Sequence, residues 1–100
     1  MILTVFRSRL KPEALEEYGG WATRMSELAK TMPGYISHKG FTAPDGERVT
    51  IVEFESEEHQ KVWSTNLEHA EAKKKGRASF YSEYSIQVCT VHREHRFPKA

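Results

Sequence analysis

The sequence predicts an α+β domain in the order β-α-β-β-α-β, the split arrangement of ferredoxin-like folds, with an antiparallel sheet covered by helices on one face. Three observations carry this expectation. Four segments are rich in β-branched and large apolar residues, two others repeat apolar residues every three to four positions, and turn residues separate them.

Ile2 to Leu10 reads as the first strand, and Lys11-Pro12-Glu13 stops it and starts a helix with Pro in its first turn. Leu15, Tyr18, Ala22, Met25, Ala29 and Met32 then form one apolar stripe that ends at Pro33-Gly34. Gly19 and Gly20 interrupt this helix, each at a cost of about 1 kcal/mol relative to Ala, and close backbone packing is the expected reason. Tyr35 to Thr42 and Arg48 to Phe54 flank Ala43-Pro44-Asp45-Gly46, a type I turn pattern, and make a hairpin. Ser56 is the expected N-cap of a second helix, with Glu57 and Glu58 in its first turn and Trp63, Leu67 and Ala70 on its apolar face. Gly76 is expected to close that helix. Tyr84 to Val91 is the last strand, followed by a polar tail over 92–100.

One hundred residues with 38% hydrophobic and 29% charged side chains suit one domain, residues 1–100, with its core over about 1–91. Fifteen Lys and Arg balance fourteen Asp and Glu, so no electrostatic footprint for nucleic acid or anionic lipid is expected. No window is long and apolar enough to span a bilayer, and the N-terminus runs from apolar to basic, the reverse of a secretion signal. Cys89 is the one cysteine, which fits a reducing cytoplasmic setting. The histidines and carboxylates show no metal-ligand spacing, and no phosphate-binding loop or dinucleotide fingerprint is present; no metal and no cofactor are expected. His38, His59, His92 and His95 are read as surface residues.

The strands are apolar on both faces. Ile2 and Phe6 oppose Leu3 and Val5, Val49 and Ile51 oppose Val52 and Phe54, and Ile86 and Val88 oppose Cys89 and Val91. Helices cover only one face, so a second copy is expected on the other, as a homodimer with sheets face to face.

The order of elements, with EFES before the second helix, a tryptophan inside it and GRASFYSEYSIQVC near the end, resembles the antibiotic biosynthesis monooxygenase superfamily over Met1 to Val91. The resemblance implies a dimeric α+β barrel. It also implies a range of chemistries, since the superfamily holds haem degraders and signal-processing enzymes beside quinone-forming oxygenases. The latter oxidise anthrone-like phenols with O₂ and no metal or flavin, and need a base or a donor to the enolate oxygen. Where those enzymes carry Asn, Trp, Tyr and Arg, this chain has Thr50, Phe54, Gln60 and Lys73. Where haem degraders carry Trp and a ligating His ten residues later, it has Trp63 and Lys73, and the Asn of their first strand is missing; haem degradation ranks low.

The resulting candidates are Trp63 and Phe54 as an aromatic wall for a small aromatic ligand, His69 as base, and Lys73 or Thr50 to polarise an oxygen. In an unbroken helix His69 stands about 120° from Trp63, at the boundary or in solvent. Relatives often carry Pro where this chain has Leu67, and a break there would re-aim His69 towards a pocket. Lys73, Lys74 and Lys75 suit a helix C-terminus, and Lys73 lies within about 80° of Trp63. The expected activity is cofactor-independent oxidation of a small aromatic or quinol-type compound. The rival is a non-catalytic ligand-binding or stress-related dimer, favoured by the mismatched positions.

Overall fold

β1 (Ile2–Leu10) carries apolar residues on both faces and takes a central place, flanked by β3 (Arg48–Phe54) and β4 (Tyr81–Thr90). With β2 (Tyr35–Thr42) the sheet order is β2-β3-β1-β4, antiparallel throughout. This is the ferredoxin-like topology expected from the sequence, seen in a computed structural model that describes residues 1–98. Lys99 and Ala100, the end of the expected tail, lie outside the described residues.

Register assigns the two faces. Ile2, Thr4, Phe6 and Ser8 pair with Phe54, Val52, Thr50 and Arg48 on one side of β1, and with Thr90, Val88, Ile86 and Tyr84 on the other. Phe54 and Val52 pack under the helices, so this whole set faces them. Leu3, Val5, Val49, Ile51 and Cys89 share the opposite face, where Phe41 is exposed. Both faces are therefore apolar, as the strand alternation predicts.

α1 (Leu15–Lys30) follows a 3-10 turn at Pro12–Ala14. The stripe from Tyr18 to Met32 points inward, but Leu15 is exposed and Ala14 is buried in its stead, because the tighter turn shifts the helix start. Gly19 and Gly20 do not mark close packing: a Cβ at either would meet nothing within 4 Å. The turn before β3 has the expected hydrogen bond, Gly46 N–H to the Ala43 carbonyl at 2.9 Å.

The second helix is not continuous. α2 (Glu57–Thr65) starts at the Ser56 cap, whose hydroxyl accepts from His59 N–H at 3.2 Å, and stops at Asn66 with ψ 133°. α3 (Leu67–Lys75) restarts there, with the Asn66 side-chain oxygen accepting from the N–H groups of Glu68 (2.9 Å) and His69 (3.2 Å). A break thus exists without proline, made by an Asn that caps the following helix. It rotates Ala70 out to solvent; the Leu67 side chain, also expected on the apolar face, lies outside the described part of the structure. Gly76 does not close the helix either, since a π-helical turn continues over Gly76–Phe80.

The core cluster is Ala29 of α1, Phe54 of β3 and Trp63 of α2, with Met25, Leu28, Met32, Tyr35 and Val52 around it. Burying a side chain the size of Phe54 contributes roughly 1.5–3 kcal/mol, so this junction of both helices with the sheet is the main apolar anchor.

Candidate functional site

The break at Asn66 decides the site. Because α3 starts afresh, the His69 ring turns back over the end of α2 and stacks on the Trp63 indole, centroids 3.9 Å apart and planes within 17°. His69 Nδ1 lies 3.0 Å from the Trp63 carbonyl oxygen. A carbonyl can only accept, so Nδ1 carries the proton and, in the neutral ring, Nε2 presents its lone pair. No partner of Nε2 is found among the described residues. Burial holds His69 below the usual imidazole value, outweighing the Trp63 carbonyl bond that favours the charged ring, and the Lys73 ammonium acts in the same direction as burial. Of the two positions expected from an unbroken helix, boundary or solvent, the solvent one is corrected: His69 is half-buried.

Trp63 is 6% exposed and Phe54 fully buried, and both belong to one packed cluster. Their outer surfaces are used by protein: Tyr35 meets Phe54 edge-on at 6.2 Å, and His69 covers Trp63. Lys73 is also engaged. Its ammonium donates to the Ser64 carbonyl at 2.7 Å and to the Ser64 hydroxyl at 3.2 Å, tying α3 to the C-terminal turn of α2, where a cation meets the helix dipole. The structure thus groups Trp63 with Phe54 and His69 and gives Lys73 a place as a helix tie. Thr50 stands on the same sheet face as Phe54, four residues up β3, opposite Phe6 and Gly40.

Two surface depressions lie elsewhere. One is lined by Arg7, Ser8, Glu47, Glu83, Tyr84 and Ser85. The other, between α1 and α3, is lined by Glu17, Gly20, Trp21, Arg24 and Glu68, with Arg24 and Glu68 joined in a two-pronged ion pair. Neither includes Trp63 or Phe54. On the helix-facing side of the sheet the β4 edge is open and apolar, with Ile86 46% and Val88 49% exposed beside Phe6 and Tyr84. Phe6 and Tyr84 pack ring to ring at 5.8 Å, and Tyr81 stands edge-on to Phe6 at 5.4 Å. Burial raises the Tyr81 phenol far above its usual range, with Tyr18 adding to the effect, so it stays protonated.

Sequence reasoning missed His38. It is half-buried, with Nε2 2.7 Å from the Ser26 hydroxyl and Nδ1 2.6 Å from the Tyr35 hydroxyl. A register shift between Tyr35 and Ser37 puts Tyr35 and His38 on one face although they are three residues apart. Simple alternation would have set them on opposite faces, so only the bulge could have revealed the cluster. Burial and then the Lys30 charge lower the His38 pKa. His59 is likewise half-buried, its ring 2.8 Å from the Ser56 hydroxyl, whereas His92 and His95 are exposed as expected.

Fold and site define a ferredoxin-like protein with a neutral imidazole stacked on tryptophan above the sheet. The chain belongs to the antibiotic biosynthesis monooxygenase family, whose profile matches residues 1–75. It is 33% identical over 93 residues to the uncharacterized protein YqjZ of Bacillus subtilis, covering 93% of this chain and 82% of that protein. In fold it is similar to SnoaB, a cofactor-independent oxygenase from Streptomyces nogalater, with a TM-score of 0.80 and 15% identity over 98% of this chain and 97% of that one. Rv0793 from Mycobacterium tuberculosis has a TM-score of 0.84 and 14% identity, with 95% and 98% covered. No described helix is long and apolar enough to cross a membrane.

Proposed function

We propose that the protein is a homodimeric, cofactor-independent oxygenase acting on a small aromatic or quinol-type compound. The observation that carries this reading is the His69 ring, held neutral by burial with Nδ1–H fixed on the Trp63 carbonyl and Nε2 without a described partner. A base with a set tautomer is the equipment that oxidation of an anthrone-like substrate needs. Nε2 removes the proton from the activated carbon or phenol, and the carbanion gives one electron to O₂. Recombination forms a carbon–oxygen bond, and loss of water from the hydroperoxide leaves the ketone. One O₂ is consumed, one oxygen atom enters product and the other leaves as water.

The ligand lies on the open helix-facing strip of β4 beside Phe6 and Tyr84, and Thr50 supplies a hydroxyl on the same face. Trp63 holds the His69 ring and rests on Phe54 in the core, and Lys73 positions α3 and with it His69. The opposite sheet face, with Leu3, Val5, Val49, Ile51 and exposed Phe41, packs on a second copy.

The test is oxygen uptake by metal-free protein with anthrones and hydroquinones, corrected for spontaneous oxidation. His69→Asn keeps an N–H for the Trp63 carbonyl and removes the lone pair. Saturable uptake that this variant loses supports the reading. Saturable ligand binding with no uptake turns it to the alternative, a binding dimer, which the mismatches at Thr50 and Phe54 favour.

A further inference from the structure

On the helix-facing side of the sheet, register lines up His38, Val52, Thr4 and Val88 in one row across all four strands. The next row is Gly40, Thr50, Phe6 and Ile86. Thr4 stands on the central strand between two valines, and its Oγ1 is shut off from solvent with no hydrogen-bond partner. It is the one side-chain oxygen or nitrogen in that condition among the described residues. A buried hydroxyl without a partner is costly, and valine would fill the same β-branched position without that cost. The fold alone therefore does not account for the hydroxyl.

His38 cannot serve it. The two lie two strands apart, about 9–10 Å at the usual strand spacing, and both His38 ring nitrogens already meet hydroxyls. On its other side, Thr4 is one strand from the open edge, where Val88 and Ile86 are each about half exposed. Thr50 is its diagonal neighbour on β3, roughly 7 Å away by sheet geometry. Across from Thr50 stands Gly40, where a Cβ would meet only the Thr50 hydroxyl, at 3.8 Å. The surroundings are thus an aromatic and aliphatic floor with one buried hydroxyl at its inner border and a second a short step further along.

We propose that Thr4 anchors the oxygen of a planar aromatic ligand, a phenol or its ketone, which displaces the side-chain atoms now covering that hydroxyl and lays its ring on Phe6, Ile86 and Val88. A threonine hydroxyl both donates and accepts, so it can hold a ketone oxygen before or after reaction and a phenol O–H in its place. The proposal rests on the reading that this strip takes an oxygenated aromatic compound, but it concerns binding and needs no turnover.

The experiment is calorimetric titration with 1-naphthol and with naphthalene of the full chain, of Thr4→Val and of Thr4→Ser. The wild-type protein binds 1-naphthol more tightly than naphthalene. Thr4→Val weakens 1-naphthol by about tenfold, leaves naphthalene within about twofold, and unfolds at the same temperature or higher because the unpartnered hydroxyl is gone. Thr4→Ser keeps the preference for the phenol. The proposal is overturned if Thr4→Val binds 1-naphthol as well as wild type, if it loses both ligands equally, or if wild type shows no preference. Absence of oxygen uptake with the titration pattern intact would remove the oxygenase reading and leave this one standing.

Discussion

The His69 ring lies flat on the Trp63 indole while its Nδ1 meets the carbonyl oxygen of the same residue, so one tryptophan fixes both the plane and the tautomer of the histidine. Truncating the indole to a smaller ring tests that dependence. Trp63→Phe keeps the carbonyl and most of the apolar volume but loses part of the stacking surface. We expect a stability loss of about 1–2 kcal/mol, read from urea midpoints, and a roughly tenfold drop in oxygen uptake with the dimer intact on gel filtration. An unchanged rate would remove Trp63 from the site and leave it only in the core.

The cap at Asn66 permits this arrangement, so its loss should reach further than one hydrogen bond. Asn66→Ala leaves the first N–H groups of α3 without an acceptor, at about 1 kcal/mol, and frees the helix that aims His69. Asn66→Asp retains a side-chain oxygen and should sit near wild type in both stability and activity. Equal losses in the two variants would mean that something other than the cap sets the break.

The first three strands, the sheet faces, the hairpin turn and the Ser56 cap were legible in the sequence, because alternation, turn chemistry and capping are local, whereas β4 starts at Tyr81 and not at the expected Tyr84. The candidate site was legible only in part. Trp63 was placed on the core stripe from spacing alone, but the side of the helix on which His69 stands depended on an interruption that spacing does not encode. Asn66 and Leu67 carry no proline to announce it, and the side-chain cap that makes it is a conformational choice settled by packing. The His38 cluster failed for a similar reason: one bulged residue in β2 reverses the parity on which strand reading relies. Gly19 and Gly20 mislead in the other direction, since nothing approaches them.

Two half-buried imidazoles, His38 and His69, sit below the ordinary value because burial disfavours their charged forms. In the unfolded chain each titrates near 6.5, so as pH falls below that value the unfolded state binds protons that the native state resists. Stability is therefore complete above about pH 6.5 and declines as pH drops through the lowered native values. Urea midpoints taken between pH 8 and pH 5 should fall, and His38→Asn with His69→Asn together should flatten the slope. A midpoint that rises towards pH 5 contradicts this assignment. Oxygen uptake should fall over the same acidic window, since protonated Nε2 has no lone pair.

Gly76 sets two rules against each other. Its backbone is right-handed helical, φ −58° and ψ −50°, and at such a position alanine ordinarily stabilises by about 1 kcal/mol. A Cβ there would stand 2.6 Å from Cε2 of the Tyr81 ring, which is itself wedged among Tyr18, Phe6 and Phe80. A ring held on three sides cannot yield by the required distance without moving its neighbours, and overpacking of this kind costs about 1–3 kcal/mol. Gly76→Ala should accordingly destabilise the protein, with the aromatic circular dichroism of the tyrosine cluster altered in the folded state. Adding Tyr81→Leu, which removes the ring that collides, should recover part of the loss relative to Tyr81→Leu alone. If alanine at position 76 stabilises the wild-type background instead, the close approach of Tyr81 is not what keeps glycine there.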